Sequence, residues 1–266
     1  MLLCSYFLNS YSFNVSFGPS LDLETINSFK NNFSYSGFLK ARTHINDYSS
    51  SYFSNIRVKD VEIFSTFFSL GVYLRNEIPL LNTRVRKSNN FYMSSFKFFC
   101  AGVGVNYFTY PVKLISNNSN SVFKIFSGKH YISKNFSKIK DRLVVFYKQN
   151  YLNYFENSFK IIFNPIFIKI DNTLTDLALS HLGVKNLSRF EKNVKSHYIY
   201  SVGFDTSLVF TPLIYQGHHG SALTSSSLLV MPTSLFCEKS SNYLNLEGLV
   251  QKAHSAVSQD KFVRKD

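Results

Sequence analysis

Tyr215-Gln216-Gly217-His218-His219-Gly220 decides how this chain is read, together with Met231-Pro232, Glu238-Lys239 and Asn245-Leu246-Glu247-Gly248-Leu249-Val250-Gln251 behind it. The apolar run from Leu208 to Tyr215 predicts a strand, and Gln216 to Gly220 a tight turn whose glycines admit close backbone approach. Gly217 is expected in a turn conformation that β-branched side chains resist. A second strand, Ser227 to Met231, stops at Pro232. Asn245-x-Glu247-Gly248 is turn chemistry, because Asn and Gly suit positive φ. A catalytic set would need a nucleophile and a base within reach of each other, which spacing alone does not supply. Hydrogen-bonded turns at sheet ends are the expectation instead, and no catalytic, cofactor-binding or metal-binding residue is assigned. His218 and His219 make a poor chelate: neighbours on a strand point to opposite faces, and no third ligand lies near in sequence.

The same rhythm runs through the upstream sequence. Ser12 to Phe17 predicts a strand closed by Gly18-Pro19-Ser20, and Leu21 to Phe33 a helix with Ser20 as N-cap. Val61 to Leu70 predicts a buried strand ending at Gly71, and Ile78 to Lys87 a helix with Pro79 in its first turn. Phe96 to Ala101 and Leu143 to Tyr147 predict further strands, the latter after a basic helix; Ser121 to Phe126 predicts a helix. Leu174 to Leu182 predicts a helix stopped by Gly183, and Tyr198 to Val202 a strand ending at Gly203. Strand, glycine, helix, strand is the pattern of an α/β fold: a Rossmann-like, mostly parallel sheet flanked by helices. Gly71, Gly102, Gly203 and Gly217 fall at strand carboxyl ends, where such folds place ligand-facing groups. None forms GxGxxG or a phosphate-binding P-loop, and Gly102-Val103-Gly104 is the nearest approach. No linker or repeat interrupts the pattern, so one domain with two lobes is expected.

Composition narrows the classes. The chain has 266 residues, 45% of them hydrophobic, enough for a sizeable core. Phe (28) and Tyr (17) abound while Trp is absent; with the many Asn, Lys and Ile, this is what A+T-rich codons specify, as in an organellar genome. The net charge of +13 invites a nucleic-acid reading, but that needs clustered cations. The densest runs are Arg84-Val85-Arg86-Lys87 and the diluted stretch from Lys134 to Arg142. They read as solvated helix faces or as a basic rim meeting an acidic partner subunit. Cys4, Cys100 and Cys237 are far apart and never in CxxC spacing, which excludes a local zinc ribbon, a ferredoxin-type cluster and a disulfide scaffold, and implies a reducing compartment. No run of about 18 apolar residues would span a bilayer. The opening residues show no basic n-region or Arg-rich stretch, so neither a secretory signal nor a transit peptide is expected. That would suit synthesis inside the organelle.

The tail motif closely resembles the C-terminal domain of the large iron–sulfur subunit of NADH:ubiquinone oxidoreductase, respiratory complex I, and of its bacterial counterpart. Its signature falls on Gln216, Gly217, His218, His219, Gly220, Pro232, Glu238, Asn245, Glu247, Gly248 and Gln251. The likeness extends to Leu21-Asp22-Leu23-Glu24-Thr25, to Arg75-x-Glu77-x-Pro79-Leu80-x-Asn82-x-Arg84-x-Arg86-Lys87 and to Tyr198 through Asp205, nearly the whole chain. It implies a molybdopterin oxidoreductase-like domain over 1–266, incomplete at its C-terminal end and without the iron–sulfur N-terminal part. It further implies a structural piece of the peripheral arm, on the matrix side of the mitochondrial inner membrane, without a cofactor of its own. The clusters would sit on the N-terminal part or on a separate chain. Partners would be other peripheral-arm subunits, including that cluster-bearing half, with no nucleic acid and with the membrane reached only through the complex. Two departures weaken pterin binding: Val72-Tyr73 replaces the usual Asn-Pro after Gly71, and Ser221 to Ser227 replaces a stretch that usually carries acidic and glycine residues.

Relatives typically continue with Trp beyond the position of Asp266. With Trp absent throughout, this suggests a UGA codon read as Trp; a natural gene split is the rival. Two other functions stay open at this point. An active molybdopterin-dependent oxidoreductase predicts bound pterin and molybdenum. A basic organellar ribosomal protein predicts salt-sensitive RNA binding.

Overall fold

The apolar runs closed by glycine do form parallel strands, in two five-stranded sheets rather than one. The computed structural model describes residues 13–32, 37–39, 53–102, 109–116, 118–133, 143–148, 166–170, 173–183, 198–203, 213–220 and 222–258. The predicted basic helix before Leu143, Gly104 and the start of the Leu208 run lie outside these residues. The chain divides into two compact units, the first formed by residues 1–49, 173–245 and 249–266, the second by 50–172 and 246–248.

In chain order the first unit opens with β1 (Phe13–Phe17), α1 (Leu23–Asn32) and β2 (Gly37–Leu39). The second unit follows a 3-10 turn at Val58–Ile63 with β3 (Thr66–Leu70), α2 (Leu74–Glu77), α3 (Pro79–Phe91), β4 (Lys97–Ala101), β5 (Lys113–Ser116), α4 (Ser119–Phe126), β6 (Leu143–Tyr147) and β7 (Ile166–Lys169). The chain then returns to the first unit with α5 (Leu174–His181), β8 (Tyr198–Val202), β9 (Leu213–Gly217), α6 (Ala222–Ser226), β10 (Leu229–Pro232), β11 (Ser241–Leu244) and β12 (Val250–Ala253).

The second unit's sheet has the order β5-β4-β3-β6-β7, all pairs parallel. Its central strands read as continuous apolar runs because both faces are covered. Every residue of β3 and β6 is buried. One face sends Phe67, Phe98, Val144 and Phe146 against Leu81 and Val85 of α3; the other sends Phe68, Phe99, Val145 and Tyr147 against Val122 and Ile125 of α4. The predicted strand from Val61 starts later, at Thr66. Val58–Ile63 winds into a 3-10 turn that buries Val61, and Arg84 of α3 takes the Glu62 carboxylate. Charged side chains within this turn favour an exposed side over a doubly buried strand. The helix predicted to end at Lys87 runs on to Phe91, since Ser88 continues the buried stripe of Leu81 and Val85.

The first unit's sheet, β10-β9-β8-β1-β2, is also parallel throughout. Val15, Phe17, Tyr200, Val202 and Ile214 pack against Ile26 of α1 and Ala178 and Leu179 of α5. The cap of α1 is Asp22 rather than Ser20: its Oδ1 accepts from Thr25 N at 2.8 Å, the usual N-cap bond. β11 and β12 pair as an antiparallel hairpin within the tail, where turn chemistry alone is expected from sequence. Among the described residues no helix is long and apolar enough to cross a membrane.

Candidate functional site

Parallel α/β sheets offer ligands the carboxyl edge, at the point where strand order reverses. In the first unit that point lies between β1 and β8. Here Gly18 N donates to Val202 O at 2.8 Å, Gly203 N to Gln216 O at 2.7 Å and Thr233 N to Gly217 O at 3.1 Å, so the ladder continues past the strand ends. The turn at Gly203 has φ 61°. A Cβ on Gly18 would overlap the Gly203 carbonyl oxygen and lie 2.5 Å from its carbon. The two backbones therefore fill the crevice themselves.

The head of α1, which in such folds can hold a phosphate on free N–H groups, carries the chain's own carboxylate. Asp22 bonds Thr25 through one oxygen and Lys239 Nζ at 2.7 Å through the other, with both side chains about 95% buried. Burial alone would push this carboxyl up. The Lys239 bond and charge and the Thr25 bonds outweigh it, leaving the group below its ordinary value and ionised at neutral pH. Glu24 holds the hairpin beside it, accepting from the Asn242 backbone N–H at 3.1 Å and from the Asn242 amide.

The signature residues fall into three local structures. In the first, Gln216 accepts from the Tyr200 hydroxyl at 2.5 Å, the Tyr215 hydroxyl donates to His219 O at 3.3 Å, and Pro232 pairs with Gly217 in register. His218, His219 and Gly220 are exposed, the two imidazoles edge to face at 4.8 Å. Gly217 is a strand residue without positive φ, which corrects the expected turn conformation. Its small size is required because the Tyr215 ring lies across it: an added Cβ would sit 2.6 Å from a ring carbon. Gly217→Val should therefore lower stability by about 1–3 kcal/mol through overpacking, read as a urea-midpoint shift that Tyr215→Leu in the same chain relieves. In the second structure Glu238 caps its own turn, accepting from Leu235 N at 3.0 Å. In the third, Asn245 closes the hairpin turn by accepting from Leu249 N at 2.8 Å, and Gln251 pairs with Tyr243 across the hairpin. Glu247 belongs to the second unit, where it accepts from Val58 N at 2.6 Å. Gly248, at φ 81°, lies under the Phe53 ring.

In the second unit the strand order reverses between β3 and β6. After β3 the loop folds back on itself: Ser69 Oγ donates to Val72 O at 2.6 Å and Val72 is buried. Glu77 then meets Lys148, the residue after β6, at 2.7 Å. Tyr110 donates to Asn82 of α3 at 2.7 Å, and burial pushes its hydroxyl's ionisation well above the ordinary range. Burial likewise pushes the Cys100 thiol up to about 11, leaving it a core residue rather than a nucleophile.

Among the described residues no group of three His, Cys, Asp or Glu side chains can hold a metal. A phosphorylated pterin needs room and free N–H donors at a carboxyl edge. In the first unit Asp22 takes the Thr25 N–H at the head of α1 and the Gly203 backbone closes on Gly18, and in the second Ser69 holds the loop after Gly71 through Val72 O. Among the described residues the hydroxyls of Ser16, Thr233 and Ser234 are buried without a hydrogen-bond partner, a demand that single waters can meet. Sequence reading missed the Asp22–Lys239 pair, whose members lie at opposite ends of the chain, although Asp22 three residues before Thr25 carries an N-cap signal.

Comparison with known proteins bears on this arrangement. The molybdopterin oxidoreductase family matches residues 8–169 and 209–266. The NADH-ubiquinone oxidoreductase 75 kDa subunit of Acanthamoeba castellanii is 30% identical over 95% of this chain and 40% of its own length. The 75 kDa subunit of Reclinomonas americana is 26% identical over 83% of this chain and 35% of its own length. The mitochondrial NADH-ubiquinone oxidoreductase 78 kDa subunit of Candida albicans is 25% identical over 83% of this chain and 32% of its length. The chain thus spans well under half the length of these relatives. A chain in the crystal structure of the formyltransferase/hydrolase complex of Methylorubrum extorquens with methylofuran has the same fold, with a TM-score of 0.64 at 9% identity, covering 97% of this chain and 90% of that one. With two parallel sheets flanked by helices and this match over most of its residues, the chain belongs to the molybdopterin oxidoreductase family, in the part of it homologous to the 75 kDa subunit of NADH-ubiquinone oxidoreductase.

Proposed function

We propose that this chain is a structural component of the peripheral arm of mitochondrial NADH:ubiquinone oxidoreductase. It supports electron transfer from NADH to ubiquinone on the matrix side without holding a redox centre. The iron–sulfur clusters belong to polypeptide outside this sequence. The observation that carries the reading is the occupied head of α1, where Asp22 and Lys239 take the place an anionic cofactor would need. The relatives' names support the assembly, and the exposure of His218 and His219 at the end of β9 supports a framework role.

Blue-native separation of mitochondrial membranes followed by mass spectrometry tests this. The chain should migrate with the NADH-oxidising complex, and molybdenum and pterin should be absent from the purified protein. Co-sedimentation with ribosomes, or stoichiometric molybdenum, would sink it. His219→Ala should leave NADH oxidation per assembled complex at the wild-type rate, since no step in this reading touches the imidazole. Lost turnover with normal assembly would contradict the scaffold role.

A further inference from the structure

The motif from Arg75 to Lys87 has internal work for several of its members. Pro79 starts α3, Asn82 receives Tyr110, Glu77 meets Lys148 and Arg84 meets Glu62. Part of the same helix also forms a surface. Leu80, Arg84, Lys87 and Phe91 stand at i, i+4, i+7 and i+11, one stripe along α3 beside the buried stripe of Leu81, Val85 and Ser88. Leu80 is 77% exposed and Phe91 76%, and Ile63, next to Glu62 in the adjoining turn, is 63% exposed. Large apolar side chains at both ends of one stripe, left in water, are not explained by this unit's own core.

The charge of this face says what should cover it. α3 carries Arg84, Arg86 and Lys87 and no acidic residue. Glu62 serves both Arg84 and Lys87, the second only at 3.5 Å, so the face stays net positive on a chain already at +13. Arg86 has no hydrogen bond or ion pair among the described residues. Apolar anchors around a cationic middle match a protein surface: Phe and Arg are enriched at interfaces, and complementary charge sets partner and register. A phosphate backbone would call for more cations and has no use for Leu80 or Ile63.

We propose that this face of α3 docks a surface of another polypeptide that is acidic at its centre and apolar at its flanks. Leu80 and Phe91 would bury as anchors, and Arg86 and Lys87 would pair with its carboxylates. Under the reading above, that polypeptide is a neighbouring subunit of the complex.

The test is zero-length carbodiimide coupling in the native assembly, with mass spectrometry of the Lys87 peptide. Two variants accompany it, Arg86→Glu and the double change Leu80→Ser with Phe91→Ser. Lys87 should join an Asp or Glu of a different chain. The variants, altered only at exposed positions, should melt as wild type when free, yet enter the assembly at least about tenfold less well, the loss expected of interface anchors. Reversing the coupled carboxylate to Lys should rescue Arg86→Glu. Coupling of Lys87 to Glu62 alone, wild-type assembly of both variants, or protection of this face by RNA would overturn the proposal. Coupling to an acidic polypeptide outside the respiratory complex would uphold the docking face and reject the proposed function; wild-type assembly of both variants into that complex would do the reverse.

Discussion

Lys239→Ala should cost the first unit about 3–5 kcal/mol, the penalty of leaving a buried carboxylate without its partner. Lys239 and Asp22 are each about 95% buried, and their 2.7 Å contact joins the segment after β10 to the head of α1. Removing only the ammonium leaves Asp22 the Thr25 bonds and no countercharge. The double change Asp22→Ala with Lys239→Ala should cost less than Lys239→Ala alone, because it removes the unpaired charge as well. The pH dependence separates this cause from lost packing. In the wild type the Asp22 carboxyl lies below its unfolded value of 3.8. The stability it confers is therefore complete above that value and is lost as pH falls through the lower native one. In Lys239→Ala the native value moves up towards or past 3.8, so the mutational penalty should be largest at neutral pH and should shrink in acid, where protonation neutralises the stranded group. Hydrogen exchange at the β1 and β8 amides, at neutral and at strongly acidic pH, reads this. A penalty equal under both conditions would mean that packing, not charge, holds the segment.

The strands are legible in sequence because a doubly covered parallel sheet makes its central strands continuous apolar runs. Thr66–Leu70, Lys97–Ala101 and Leu143–Tyr147 could hardly pack otherwise. Edge elements are harder. β11 and β12 are polar and become a hairpin through Asn245 and its bonds to Leu249, which composition does not announce. The turn at Val58–Ile63 shares its hydrophobicity with the strand after it, and the bonds from Phe64 N to Val61 O and from Ser88 Oγ to Phe64 O, with the Glu62 pairing, mark where one ends and the other begins. The signature is legible as a motif, but its work is not. Glu247 serves a backbone N–H 189 positions away, Lys239 a carboxylate near the other end of the chain, and no spacing rule reports such partners. Gly217 shows the same limit on a small scale. The need for glycine is readable, but its cause, the Tyr215 ring lying across the strand, exists only once the strand is built.

Phe67→Ala should be as severe for the second unit, at about 3–5 kcal/mol. Phe67 is fully buried in β3, the central strand of its sheet. Its ring stacks on Phe146 at 6.0 Å with an interplanar angle of 6° and on Phe98 at 6.1 Å, and tilts against Phe96 at 5.7 Å. Truncation leaves a cavity lined by these rings, each held by its own strand or turn and unable to collapse inward, so the cavity penalty adds to the lost burial. Phe67→Leu keeps most of the volume and should cost much less. Urea unfolding with unchanged slope would register both as midpoint shifts, and a loss under about 1 kcal/mol for Phe67→Ala would show that this ring cluster is not the unit's keystone. If the chain contributes framework and no chemistry, a weakened core should reduce how much complex is assembled and leave NADH oxidation per assembled complex unchanged. An enzyme whose site sat on this sheet would instead lose turnover in the molecules that did assemble.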